Sequence, residues 1–185
     1  MQKNEQVIEQ TKTWIKEVVV GCNFCPFAAK ELKLGRIYYQ VVRSADFKKG
    51  LEALAIEFER LDDEEEIETT LIIFPDDFAD FYHYLELTDL AEKFLKKQKR
   101  QGVYQVASFH PEYLFAGSTK VDPANYTNRS VFPMLHLLRE ASLTAALEQF
   151  PHPEKIPQNN IEFARTKGLE FMKGLRASCL AGYGV

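Results

Sequence analysis

Residues 105–140 read QVASFHPEYLFAGSTKVDPANYTNRSVFPMLHLLRE, and how this stretch divides into elements decides the fold. Its beginning, with the two residues before it, is β-branched and aromatic and predicts a strand over 103–109. Ser130 followed by an apolar run predicts a capped helix over 131–150. Residues 110–129 are then a long polar loop, and a loop of that length in a compact domain is usually functional or partly ordered. The stretch also carries His110, His136, Arg129, Arg139 and the run Tyr126-Thr127-Asn128-Arg129-Ser130. A plain connection has no need of so many ionisable and hydrogen-bonding side chains.

Working outward, 69–74 (TTLIIF) is a nearly continuous apolar run, as expected of a strand covered on both faces. Residues 37–42 (IYYQVV) predict another strand. Helical spacing of Val7, Thr11, Trp14, Ile15, Val18 and Val19 predicts a first helix over 4–20, stopped by Gly21. Pro26 suits the first turn of a short helix over 27–34, closed by Gly35. Asp46 caps a third helix, with Leu51, Leu54, Ala55, Phe58 and Leu61 on one face. A long helix is expected over 78–100, interrupted near Thr88, and a last one over 160–175. The small residues of 177–185 are expected to fray.

Strand, helix, strand, helix, strand is the order of parallel crossovers. The expected fold is therefore α/β: a small, mostly parallel sheet of about three strands with helices packed around it and helical N- and C-terminal segments. At 185 residues it is expected to be a single domain, 1–185.

Bulk properties narrow the function. The chain is 45% hydrophobic and 27% charged, the balance of an ordinary globular protein. A net charge of -4 gives no general attraction to phosphate backbones, so no nucleic-acid partner is expected. The one basic cluster, Lys96, Lys97, Lys99 and Arg100, stands where cations meet a helix C-terminus. Residues 1–20 do not resemble a signal or transit peptide, and no long apolar run would span a membrane. Three cysteines without an export signal imply reduced thiols and a cytoplasmic location. No glycine-rich nucleotide-binding motif occurs, and neither does H-E-x-x-H or G-x-S-x-G, so no particular cofactor is implied. Oligomeric state is not legible.

Two clusters can carry chemistry. In Cys22-Asn23-Phe24-Cys25-Pro26, Cys25 precedes a helix start, where the dipole favours thiolate. The bland alternative is a buried structural thiol. The spacing of Cys22 and Cys25 also suits a dithiol or half a zinc site, without the second half that zinc needs. In the long stretch, His110 follows a strand end, where ligands collect in open α/β sheets. Asn128, Arg129 and Ser130 at a helix N-terminus form a cradle for phosphate or carboxylate, or simply a capped helix with a solvated arginine. His136 and Glu140 share a helical face at i, i+4, with Arg139 a turn from His136. Tyr113, Phe115 and Tyr126 anchor the loop. His83 and His152 read as surface residues.

N-x-C-P-F-A at 23–28, Q-V-A-S-F-H-P-x-Y-x-F-A-G at 105–117 and T-N-R-S-x-x-P-x-x-H-L-L-R-E-A-S at 127–142 resemble the bacterial domain-of-unknown-function family numbered 1415. The resemblance runs from Trp14 to the last helix. The family has no established activity, so the resemblance implies none. Its pattern implies an apolar residue where Cys22 stands, which leaves readings through C-x-x-C unsupported. Asn23, Cys25, Pro26, His110, Tyr113, Asn128, Arg129, Ser130, His136, Arg139 and Glu140 fall within the matching motifs.

The leading expectation is an enzyme acting on a small anionic molecule by acyl or related group transfer or hydrolysis. Cys25 would be the nucleophile, and His110 or His136 the base. Asn23 or Asn128 would donate to an oxyanion, and Arg129 with Arg139 would hold the substrate's anion. Ser130, Tyr113 and Glu140 complete the expected ligand site. A non-catalytic anion-binding protein is the second expectation. A metal site from Cys25, His110, His136 and Glu140 is the third.

Overall fold

A computed structural model describes residues 3–181. It is an α/β fold with seven α-helices and one four-stranded mixed sheet among the described residues. The strands are β1 (Ile37–Val41), β2 (Thr69–Ile73), β3 (Tyr104–Phe109) and β4 (Met134–Arg139). The helices are α1 (Asn4–Trp14), α2 (Ala28–Leu34), α3 (Phe47–Asp63), α4 (Phe81–Lys97), α5 (Glu140–Glu148), α6 (Ile156–Lys167) and α7 (Leu169–Ser178).

The spatial order is β1-β2-β4-β3. β1 and β2 are parallel, joined through α3; β4 is antiparallel to both β2 and β3. Two of the three pairings are thus antiparallel, which corrects the expectation of about three mostly parallel strands. The three expected strands do run the same way. What separates β2 from β3 is a fourth strand inserted from the end of the long stretch.

The error lies in Met134-Leu135-His136-Leu137-Leu138-Arg139. Read at helical spacing, it continues into residues 140–148 as one helix. In the sheet it is a central strand with both faces covered, and such strands are apolar without a period of two. Leu135 and Leu137 join the core with Leu54, Leu61, Ile72 and Tyr104. Met134 joins the opposite core with Trp14, Val18, Leu71 and Ile73. Glu140 then begins α5 with no intervening loop, its backbone amide donating to the Val103 carbonyl at 2.9 Å.

Other boundaries follow local chemistry. Asp46 caps α3 by accepting from the Lys49 amide, and Asp80 caps α4 by accepting from the His83 amide. α4 begins at Phe81 and passes Thr88 unbroken. Phe78, expected inside that helix, precedes it with φ of 57°. The first helix changes at Ile15 to a π-helical turn that runs to Val20. It ends tightly: a Cβ on Gly21 would lie 2.3 Å from the Glu17 carbonyl oxygen. Gly35, in the left-handed region at φ 68°, ends α2. The expected last helix is two, α6 and α7, broken at Gly168. Of the tail expected to fray, α7 runs to Ser178, while residues 182–185 lie outside the described residues.

Among the described residues, no helix is long and apolar enough to cross a membrane. Lys96 and Lys97 occupy the last turn of α4, and Arg100 pairs with Asp62. His83 and His152 are exposed, as expected.

Candidate functional site

One sheet face is laid out in rows. Tyr39, Leu71, His136 and Ala107 are register partners across the four strands, with Ile37, Thr69, Leu138 and Gln105 in the next row. α1, its π-helical continuation and α2 cover part of this face, and α5 folds back from the end of β4. Between them is a cavity of about 770 Å³. That is the size of a pocket for a small organic molecule.

Its walls are mostly apolar, with Trp14, Val19, Phe27, Leu71, Phe109 and Leu138 among them. Phe27 and Phe150 meet edge to face at 5.7 Å, closing the side where α5 ends. The polar groups concentrate around Cys25, Thr69 and His136 and around Glu31, Arg36 and Glu68.

His136 is held in one tautomer. The Thr69 hydroxyl donates its single proton to the Leu137 carbonyl at 2.6 Å. It can therefore only accept from the imidazole, so His136 Nε2 carries the proton and donates at 2.7 Å. Nδ1 is left with a lone pair, and the ring makes no other hydrogen bond among the described residues. Burial lowers its pKa to about 4, so the ring is neutral at pH 7.

Cys25 is half-buried and lines the same cavity. Burial pushes its thiol up, and the Phe27 and Ala28 amides pull it back only in part. The thiol is therefore protonated at rest, against the expectation of a thiolate. No hydrogen bond joins Cys25 to His136, so any atom on which both act must lie between them.

The other expected site residues are elsewhere. His110 is fully buried on the opposite side of the sheet, beside the rings of Phe81 and Tyr84. Its Nε2 donates to the Phe78 carbonyl at 2.8 Å and its Nδ1 accepts from the Glu112 amide at 2.9 Å. Both ring nitrogens are used, and burial lowers its pKa. His110 staples the chain around Phe78.

Arg129 is 6% exposed and donates to the Tyr113 and Lys120 carbonyls, with Tyr126 beneath its guanidinium. It holds residues 110–129 together, including the 3-10 turn Pro123–Thr127. Ser130 caps no helix, because none begins there; its hydroxyl donates to the Phe132 carbonyl. Asn128 accepts from the Thr127 hydroxyl, and its carbonyl accepts from the His110 amide. Tyr113 packs on Phe81 and Phe115. The cradle expected from Asn128, Arg129 and Ser130 is an internal fastening, since the helix that would supply its free amides is absent.

Arg139 borders the cavity, but its guanidinium belongs to the other face. It donates to the Leu61, Glu64 and Ile67 carbonyls and so caps the C-terminal end of α3. His136 and Glu140 do not share a helical face, because β4 ends between them. Asn23 is exposed in a left-handed turn at φ 56°. Among the described residues, no three of His, Cys, Asp and Glu are grouped to hold a metal ion. The set Cys25, His110, His136 and Glu140 is split by the sheet.

Sequence reasoning missed Thr69, Glu31, Arg36 and Glu68. One signal was available: Arg36 and Glu68 each immediately precede a strand of the parallel pair. Register alone sets them side by side, at the level of Ile37 and Thr69.

The family model described as "Protein of unknown function (DUF1415)" matches residues 6–174 of the 185. The match includes every residue that lines the cavity. No curated protein and no solved structure matches the chain.

Proposed function

We propose, for a chain that belongs to the DUF1415 family of proteins of unknown function, that it binds a small, largely apolar organic molecule in the cavity over the His136 face of the sheet. His136 would receive a hydrogen bond from that molecule. The observation that carries this reading is a neutral imidazole with its tautomer fixed by Thr69 and its Nδ1 unpaired, in an apolar cavity of small-molecule size. A merely structural histidine has both nitrogens satisfied, as His110 does.

The anionic ligand expected from the sequence loses its support, because the guanidinium groups of Arg129 and Arg139 are engaged with backbone carbonyls. The test is Ala146→Trp. Ala146 lies on α5 and lines the cavity, so an indole there fills part of its space while leaving the Thr69–His136 pair unsubstituted. Thermal-shift hits from a library of small apolar molecules are expected with the parent protein and lost in this variant. Hits retained in Ala146→Trp place the ligand elsewhere.

A second reading, group transfer through Cys25, is favoured by the thiol and imidazole lining one cavity. Sulfur would attack the carbonyl carbon of an ester or thioester lying between them, the thiol proton would pass to His136 Nδ1, and the carbon's bond to its alcohol or thiol leaving group would break as His136 returns that proton to it. The resting protonation opposes it. Free thiol and imidazole pKa values differ by about 2 units, and burial widens that gap from both sides, each unit costing about 1.4 kcal/mol. A burst of one equivalent of product, absent in Cys25→Ser, would establish the reaction; unchanged turnover in that variant would remove it.

A further inference from the structure

The cavity's polar end has unmet acceptors. Arg36 Nη2 donates to Glu68 Oε2 at 2.6 Å, and Arg36 Nη1 lies 3.4 Å from Glu31 Oε2. One guanidinium thus stands between two carboxylates. Glu68 Oε1 and Glu31 Oε2 are buried and have no hydrogen-bond partner. His136 Nδ1, on the same cavity wall, is a third acceptor and is independent of that ion pair.

The donors of Arg36, Thr69 and Arg139 are engaged. Arg36 Nε donates to the Glu66 carbonyl, the Thr69 hydroxyl to Leu137, and the Arg139 guanidinium to the end of α3 on the other sheet face. Lys30 is at the rim, its side chain 73% exposed and its Nζ 3.9 Å from Glu31 Oε1. Ser142 can donate or accept, and Cys25 is neutral. Two buried carboxylate oxygens without hydrogen bonds, beside a neutral imidazole that presents a lone pair, favour an occupant that brings N–H groups.

We infer that the ligand of this cavity carries a protonated amine or guanidinium on an apolar body, the cation toward Glu31 and Glu68 and the apolar part against Trp14, Phe27 and Leu138. This rests on the cavity being the binding site. An anionic head in this position would face the Glu31 and Glu68 carboxylates and the lone pair of His136.

The test compares three molecules with one body: phenylbutylamine, phenylbutanol and phenylbutyrate, titrated calorimetrically into the full chain and into Glu31→Gln and Glu68→Gln. The amine is expected to bind about tenfold or more tighter than the alcohol, the order of one charge-assisted hydrogen bond. That preference should shrink in both variants while the alcohol's affinity is kept. Equal binding of amine and alcohol, tighter binding of the carboxylate, or an amine preference indifferent to both substitutions overturns the inference and leaves the cavity reading standing. Failure of all three molecules to bind overturns both.

Discussion

Thr69 and His136 face each other diagonally across the antiparallel β2–β4 pair, hydroxyl oxygen to Nε2 at 2.7 Å. The threonine fixes which nitrogen holds the proton, and so decides that the ring presents an acceptor. Thr69→Val keeps the shape and removes the hydroxyl. Nε2–H then loses its partner in a buried setting, a loss of roughly 1–3 kcal/mol in unfolding free energy. Nitrogen-15 spectra of the ring should show a pure Nε2–H tautomer in the parent and a mixture in the variant. An unchanged tautomer in Thr69→Val would show that something else holds the ring.

Stability should fall with acid in a window set by His136. In the unfolded chain an imidazole takes up its proton near pH 6.5; in the fold burial delays this to about 4. Between those values the unfolded state binds the extra proton, so unfolding free energy declines as pH falls from about 6.5 to about 4. The decline attributable to His136 is on the order of 3 kcal/mol. His110 is shifted in the same direction and adds to it. Urea unfolding across this range should show a shallower pH slope in His136→Gln, by about one proton. Equal slopes would mean that His136 titrates alike in both states.

Arg139 is a structural cap and should behave as one. Arg139→Ala removes the side-chain donor from the Leu61 and Ile67 carbonyls at the end of α3, while the Glu64 carbonyl keeps the Ile67 amide, a loss of about 2 kcal/mol. Arg139→Lys should rescue only part of it, since an ammonium lacks the planar fork. Ligand affinity, measured below the unfolding transition, should be unchanged in both variants. A selective loss of affinity would return Arg139 to the binding site.

α5 is a weakly fastened wall. It contributes no buried residue to either core, and its end is tied by Phe150 against Phe27. An aromatic pair of this kind contributes about 0.5–1.5 kcal/mol. Phe150→Ala should therefore speed ligand release by about 2- to 10-fold and raise amide hydrogen exchange in residues 140–150. Unaltered exchange there would mean that α5 is held by contacts other than this pair.

Much of the α/β frame was legible because its elements obey local rules. Asp46 caps a helix with an amphipathic face, TTLIIF has the composition of a doubly buried strand, and Gly35 stops α2. Met134–Arg139 was not legible. Its leucines fit a helix locally, and only pairing with residues 69–73 and 104–109 makes it a strand. That one segment carried the site with it. Read as a helix, it joined His136 to Glu140 and gave Ser130 a helix to cap; as a strand, it sets His136 beside Thr69 and Leu71. Cys25 and His136 were both found in the sequence. That they share a cavity, while His110 lies behind the sheet, follows from strand parity: Phe109 faces the cavity, so the next residue faces away.

Whether the His136 face of the sheet receives the ligand can be read directly by two-dimensional amide and side-chain NMR during titration with a bound library hit. Trp14, the single tryptophan, is in the cavity wall and its indole N–H is a separate reporter. The account predicts shifts concentrated on Trp14, Cys25, Thr69, Ala107, His136 and Leu138, with Asn128 and His110 unmoved. Shifts centred on Asn128, Arg129 and Ser130, with Trp14 and His136 silent, would contradict it.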